Sequence, residues 1–194
     1  MNNNKQLKLV CDDFISVNHY MSYRVAGRIV MAYKPKETKD FEKKFGKYVK
    51  EEMDKQGWNK PPMGKFVNLD TIFYFPRIDM DAQNYFKSIC DIMTNVATYE
   101  DDNIVMERVN RIYYDSKKPR IELILTLSEY VGIFDNDNDY KEFKSKCDNC
   151  SRFKEGKCSI HKKALESRIQ DEIVLIDDKW NCEKFTIKKV KKSK

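Results

Sequence analysis

Five segments of the chain alternate apolar and polar residues in the manner of half-buried β-strands. Successive side chains of a strand point to opposite faces, so such a segment presents one apolar face to a core. These segments are 5–16, 28–33, 65–75, 104–114 and 120–128. The last two are joined by a short polar connection that ends in Pro119, and we predict that they form a β-hairpin.

Two further segments place apolar residues at the spacing of one helix face. The first covers about 36–56, with Thr38 and Glu42 expected at its start and Gly57 at its end. The second covers about 82–97 and keeps a polar face opposite its apolar stripe. That polar face consists of Asn84, Lys87 and Asp91.

The predicted elements follow one another in the order β-β-α-β-α-β-β. A polar and aromatic loop is expected at 17–20 and a linker at 59–64. This order predicts an α+β fold, in which two main helices pack on a mixed or antiparallel sheet.

The chain has 194 residues and a mass of 23.1 kDa, which suits one domain or one domain with a small added module. No apolar run reaches the ~18–20 residues of a membrane span, and the N-terminus has no apolar signal-peptide core. We therefore expect a soluble, cytoplasmic protein of a bacterial cell that is not exported and has no membrane partner.

The net charge of +6 is unevenly distributed. Five lysines lie within 188–194, which leaves 6 − 5 = +1 for the rest of the chain. Residues 21–60 carry 11 Lys/Arg against 6 Asp/Glu, whereas 79–102 is acidic. This segregation suits a protein that binds a polyanion around a metal centre, although a solvated charged surface has the same composition.

The acidic segment begins where an aromatic strand ends. Pro76 interrupts the strand, Asp79 and Asp81 follow at once, and the predicted helix leads to Asp101 and Asp102. Mg²⁺ takes hard oxygen ligands, usually one or two carboxylates with water and substrate phosphate. This pattern predicts a Mg²⁺ site, although aspartates also collect at strand ends and helix caps for structural reasons.

The same residues resemble the RusA family of Holliday junction resolvases, which are crossover junction endodeoxyribonucleases common in phages and prophages. That family carries Asp-x-Asp-Asn, a lysine three residues on, a helix, and an Asp-Asp pair before a strand. Asp79-Met80-Asp81, Asn84 to Lys87, and Asp101-Asp102 follow this order over roughly 7–128. An Asn-x-Tyr loop before a small, basic strand is also shared, here Asn18-His19-Tyr20 before Gly27.

The resemblance implies a Mg²⁺-dependent hydrolase that resolves Holliday junctions or branched DNA as a homodimer. It implies Asp79, Asp81 and Asp102 as metal ligands and Lys87 as a catalytic cation. Ala82 and Gln83 stand between the Asp-x-Asp pair and Asn84, where the family has the asparagine adjacent, which leaves the roles of Asn84 and Lys87 open.

Several residues are candidates for contact with DNA. The basic and aromatic side chains near the loop can bind the backbone or stack on an unpaired base, or they can simply pack against the protein. With the asparagines that the resemblance implies, the candidates are Asn18, His19, Tyr20, Arg24, Arg28 and Asn84. No glycine-rich phosphate loop occurs, so no nucleotide cofactor is expected.

Six cysteines in a chain that is not exported argue against a disulfide framework. Cys11 and Cys90 have apolar neighbours and are expected to be inert core residues. Cys147, Cys150 and Cys158 form a knuckle of the kind that binds structural Zn²⁺.

The fourth ligand of that knuckle has two candidates, Cys182 and His161, and we favour Cys182 because it otherwise lies unexplained beside Trp180. His161 lies in a basic helical stretch. An iron–sulfur cluster is also compatible with four thiolates.

These patterns predict an endonuclease core at 1–140, a cysteine-rich zinc-binding module at 141–186 that returns to the core, and a basic tail at 187–194. Two other functions fit the sequence. One is a zinc-containing DNA-binding protein without catalysis, and the other is a metal-dependent flap or RNA nuclease.

Overall fold

The computed structural model of the protein describes residues 6–188. Most of the predicted basic tail therefore lies outside the described residues. The chain divides into two compact units. One comprises the chain up to residue 61 together with 67–127, and the other comprises 62–66 together with the chain from 128 onward.

The first unit is built on a four-stranded mixed sheet with the strand order β1-β6-β4-β5. Its strands are β1 (Gln6–Cys11), β4 (Val67–Phe75), β5 (Val105–Tyr114) and β6 (Arg120–Leu127). β6 pairs antiparallel with both β1 and β4, whereas β4 and β5 are parallel.

Two helices, α2 (Lys36–Gln56) and α3 (Gln83–Asn95), bury their apolar faces in the same core as the sheet. Alternate residues of β4, from Val67 to Phe75, are fully buried there. α3 connects β4 to β5 and so forms the crossover that parallel strands need. The predicted α+β fold with a mixed sheet and two main helices is confirmed.

The predicted hairpin of 104–114 with 120–128 is wrong. Both strands exist, but β4 lies between them, and each pairs with β4. Alternation fixes which face of a strand is buried and carries no information about its neighbour. β4, which is buried at alternate residues, takes the central position between them.

The bounds of α2 agree with the predicted 36–56, but the expected cap at Thr38 is wrong. The helix begins directly after Pro35, and Thr38 makes no cap because its hydroxyl donates to the carbonyl of His19. The end of the helix at Gly57 is confirmed, since Gly57 adopts φ = 68° in the left-handed region.

The segment predicted as a loop at 17–20 is a single helical turn, α1 (Val17–Tyr20). A two-stranded ribbon follows, formed by β2 (Ser22–Ala26) and β3 (Ile29–Tyr33). Gly27 opens its two-residue turn with φ = 63°, as type II′ hairpin turns require. β3 agrees with the strand predicted at 28–33, whereas β2 was not predicted; it has five residues and buries none of them.

The second unit contains α4 (Asp137–Asp148), α5 (Ser159–Leu165) and a hairpin of β7 (Ile173–Ile176) with β8 (Lys179–Cys182). Its core is small and is formed by Phe134, Phe143, Ala164 and Ile173. α4 was not predicted. Its N-cap is Asn136, whose side chain accepts from the N–H groups of Asn138 and Asp139.

Within residues 6–188, no helix is long and apolar enough to cross a membrane.

Candidate active site

The acidic segment leaves the sheet at the end of β4. Phe75 is the last buried residue of β4, and Pro76 prevents the strand from continuing. Oδ1 of Asp79 lies 3.2 Å from Nε of Arg77. Oδ1 of Asp81 accepts a hydrogen bond of 3.0 Å from the N–H of Gln83. Asp81 therefore lies at the N-terminus of α3, where the helix dipole favours a carboxylate.

Lys87, one turn further along α3, joins two carboxylates. Its ammonium donates to Oδ1 of Asp91 at 2.7 Å and to Oδ2 of Asp102 at 3.0 Å. These hydrogen bonds raise the pKa of Lys87, so the side chain stays positively charged at neutral pH. The lysine side chain is 60% exposed, and a ligand in solution can reach it.

Asp102 is oriented by its own backbone as well as by Lys87. Its N–H donates to Oδ1 of Asp101 at 3.0 Å, and the residue opens a 3-10 turn, Asp102–Ile104, that leads into β5. Asp101 thus caps the turn, while the carboxylate of Asp102 is directed to Lys87. Parallel pairing with β4 holds β5, so Asp102 has a fixed support.

The structure brings together only part of the predicted ligand set. Lys87 and Asp102 are in contact, whereas Asp79 pairs with Arg77 and Asp81 accepts from the N–H of Gln83. Within the described residues, no three or more His, Cys, Asp or Glu side chains gather closely enough to hold one ion. Mg²⁺ commonly takes only one or two protein carboxylates and fills its shell with water. The exposed carboxylates of this segment are donors of that kind.

Asp91 is a site residue that the sequence analysis did not select. It lies four residues after Lys87, a spacing that places both side chains on one face of α3. Asn84 lies on the same face, three residues before Lys87. The polar face of the helix, which is visible in the sequence, could therefore have identified Asp91 as a site residue.

α1 is attached to the site helix. Ser88 on α3 donates to the carbonyl of Ile15 at 2.9 Å, just before α1 begins. Tyr20 is only 5% exposed, and its hydroxyl donates to Glu42, which also binds Lys34. Burial and the bond to Glu42 raise the pKa of Tyr20, so the hydroxyl remains a donor. His19 is exposed and contacts Ser16.

The β2–β3 ribbon carries Arg24 and Arg28 on a surface that faces solvent on both sides. Residues 21–34 contain no Asp or Glu. Exposed apolar side chains accompany the arginines, among them Tyr23, Val25, Ile29 and Val30.

In the second unit, the four predicted ligands Cys147, Cys150, Cys158 and Cys182 line one cavity of about 270 Å³, and His161 lines it too. Burial and the neighbouring Cys182 raise the pKa of the Cys147 thiol to about 12. At Cys150, burial raises the pKa and N–H donors from Thr186, Arg152 and Phe153 lower it, and the net shift is downward.

The two remaining cysteines lie in the first unit. Cys11 and Cys90 are each 1% exposed, and burial holds the pKa of both thiols well above the ordinary value. Both are therefore inert core residues, as the sequence predicts.

A family model described as Endodeoxyribonuclease RusA matches residues 16–126. The matched segment covers more than half of the chain and includes every residue of the acidic site. The protein is therefore an endonuclease of DNA. It belongs to the RusA family, whose members are typically metal-dependent and act on branched DNA. A search among curated proteins finds no match.

Proposed function

We propose that this RusA-family member is a Mg²⁺-dependent, structure-selective endodeoxyribonuclease that resolves Holliday junctions or other branched DNA by phosphodiester hydrolysis. The observation that carries the proposal is the contact of Lys87 with Asp102, because it joins a cation of α3 to a carboxylate in the turn that leads into β5. An exposed cation beside a carboxylate that is partly open to solvent is what a site for a metal ion and a phosphate needs.

Asp81 and Asp102, with Asp79, are the proposed ligands of Mg²⁺. A bound Mg²⁺ supplies charge neutralisation at the scissile phosphate and a water of lowered pKa. Lys87 has two tasks in this site. It keeps Asp102 in place, and its fixed positive charge stabilises the negative charge that develops on the phosphate oxygens.

The proposed DNA-binding surface extends from this site to α1 and the ribbon. Arg24 and Arg28 bind backbone phosphates, since no carboxylate of the ribbon competes with them. Asn18 and His19 contact DNA from α1, and Asn84 does so from the first turn of α3. Tyr20 stabilises α1 and does not contact DNA in this proposal, because its side chain is buried and its hydroxyl donates to Glu42.

The proposal includes a homodimer. A four-way junction is resolved by two symmetric cuts, and each chain provides one acidic site. A dimer with two-fold symmetry presents the two sites to equivalent strands of the junction.

The C-terminal cysteines are proposed as a separate metal centre. For zinc, the ion that the sequence predicts, Cys147, Cys150, Cys158 and Cys182 would supply a closed, structural shell, with His161 as the other candidate for the fourth ligand.

One assay tests the nuclease proposal. Purified protein is incubated with a synthetic four-way junction, with linear duplex, with a flap and with RNA, each with and without Mg²⁺. Cleavage of the junction only with Mg²⁺ is expected. Preferential cleavage of flap or RNA would assign the flap or RNA nuclease instead, and binding without any cleavage would favour the non-catalytic alternative.

A further inference from the structure

The β2–β3 ribbon of the first unit has two chemically different faces. Opposite residues of an antiparallel pair lie on the same face, and successive residues of a strand alternate between the two faces. The register places Tyr23 opposite Ala32 and Val25 opposite Val30. These four residues form the apolar face of the ribbon, whose side chains have no polar group except the tyrosine hydroxyl.

The apolar face is open to solvent. Tyr23 is 70% exposed, Val25 is 74% exposed and Val30 is 65% exposed. Among the described residues that make up the core of the first unit, none belongs to this face. A two-stranded ribbon with nothing packed on it is marginally stable in water, and contiguous exposed apolar side chains commonly mark a binding site. A partner is therefore expected on this face.

The rest of the ribbon is cationic. Arg24 lies on the opposite face, and its guanidinium carbon is 5.9 Å from the centroid of the Tyr33 ring. Arg28 lies in the turn, and residues 21–34 contain no Asp or Glu. A cationic element with a few exposed apolar side chains is complementary to a nucleic acid, which offers phosphates to the arginines and base faces to the apolar residues.

A second copy of the chain fits the apolar face less well than DNA does. A specific protein interface takes about 20–30 residues from each partner, and this face is far smaller. Two ribbons packed together would also bring their arginines close without any carboxylate of the ribbon between them. Bases need only a few side chains, because one aromatic ring is enough to stack on one base. The charge and size of the ribbon therefore favour DNA.

Tyr23 is the aromatic residue of this region that a base can reach. Tyr20 is only 5% exposed, and its hydroxyl donates to Glu42, so it cannot stack on a base. α1 contacts α3, the helix of the acidic site, and β2 begins at Ser22, directly after Met21. The ribbon therefore starts from an element that contacts the site helix, and Tyr23 is its first exposed aromatic residue.

We infer that the apolar face binds unstacked bases at the branch point of the DNA, with Tyr23 stacking on one base and Val25 and Val30 covering its neighbour. Bases at a branch point open more easily than those of a continuous duplex, so this contact favours branched over linear DNA. A ribbon at the centre of a junction has DNA on both sides, which leaves Arg24 and Arg28 to bind phosphates. Tyr23 is thus a specificity-determining residue. The inference rests on the proposed function in taking branched DNA as the substrate.

The direct test is photo-cross-linking of the full wild-type chain, kept in EDTA so that no strand is cut. One four-way junction carries 5-iododeoxyuridine at the branch point, and another carries it in the middle of an arm. A cross-link to the peptide that contains Tyr23 is expected from the first junction alone. Absence of junction binding, binding without this cross-link, or an equal cross-link from the arm overturns the inference. A cross-linked protein that does not cut DNA with Mg²⁺ would instead refute the proposed nuclease and leave the inference intact.

Variants then separate the two faces of the ribbon. Tyr23→Ala is expected to weaken junction binding about tenfold with little effect on linear duplex, because one stacking contact is lost. Tyr23→Phe keeps the ring and should bind as the wild type does. Tyr33→Ala, on the opposite face, is the matched control and should keep the ratio of junction to duplex affinity. An equal loss for both DNAs in Tyr23→Ala overturns the inference, and so does a change from dimer to monomer in that variant, which would place a second copy on the apolar face.

Discussion

The ammonium of Lys87 lies 3.0 Å from Oδ2 of Asp102 across 15 residues of sequence, and 2.7 Å from Oδ1 of Asp91. The contact links the middle of α3 to the start of β5. A cation held by two carboxylates beside solvent can exchange one of them for a phosphate without leaving its position. The geometry therefore accounts for a lysine in a site otherwise made of aspartates.

Replacing Asp81 or Asp102 by asparagine is expected to abolish junction cleavage while binding survives. The change keeps the shape of the side chain and removes the charge that a hard metal ion needs. A loss of several kcal/mol of transition-state stabilisation corresponds to a rate reduction of about 10³-fold or more. Single-turnover cleavage and gel-shift binding measure the two effects separately.

The matched control for these variants is Asp70→Asn. Asp70 is on β4 and pairs with Arg108 at 2.9 Å outside the site, so this variant should cleave at nearly the normal rate. Normal cleavage by Asp102→Asn would remove Asp102 from the site.

Lys87→Met is expected to lower the single-turnover rate by about 10²-fold, because a fixed charge opposite the developing phosphate charge is lost. Lys87→Arg keeps the charge and should retain part of the activity. Asp91→Asn removes one partner of the ammonium and should have a smaller effect than either aspartate ligand. Equal loss in Lys87→Arg and Lys87→Met would show that the position of the ammonium matters more than its charge.

The arginines of the ribbon are expected to set the salt dependence of junction binding. The plot of log K against log salt concentration has a negative slope, and each phosphate contact that is lost reduces the magnitude of that slope by about 0.9. Arg24→Gln with Arg28→Gln should therefore flatten the slope by about 2 and weaken binding at low salt. Lys50→Gln, an exposed cation on α2, serves as the control and should leave the slope unchanged. An unchanged slope in the double variant would place the DNA elsewhere.

The strands and helices that build this site could be predicted, because β4 and α3 each bury one regular face. The partners of the strands could not, since β4 accepts β5 on one side and β6 on the other. The contact of Lys87 with Asp102 depends on that pairing, and so no local pattern contains it. Lys87 and Asp102 were both predicted as site residues from the resemblance to a family. Their contact follows only from the fold.

β2 and α4 were missed for different reasons. β2 has only five residues and buries none of them, so its pattern is short and marks no core face. At α4, the acidic run around Asn136 has the composition of a loop, and only the cap geometry shows that a helix starts there. The cysteine spacing predicted one shared site, but the cavity among the cysteines is a property of the folded unit.

Tyr20→Phe tests whether this residue supports α1 or stacks on DNA. The variant loses the hydrogen bond to Glu42 and keeps the ring, so a loss of about 1 kcal/mol in local stability is expected. Hydrogen exchange of peptides from α1 and α3 measures it. Tyr23→Phe, at a residue that is 70% exposed, should change nothing. Unchanged protection in Tyr20→Phe, with binding lost in Tyr20→Leu, would favour stacking instead.

Gly132→Ala is expected to destabilise the second unit by about 3 kcal/mol or more. Gly132 has φ = 55°, and a Cβ there would lie 2.1 Å from the carbonyl oxygen of Ala164, which cannot move without displacing α5. Gly156→Ala is the matched control, because its φ is 74° and nothing lies within 4 Å of the added carbon. The control should cost only about 1–2 kcal/mol, from the left-handed backbone alone. Hydrogen exchange of peptides from 128–188 distinguishes the two variants, and equal protection in both would show that the backbone around Ala164 yields.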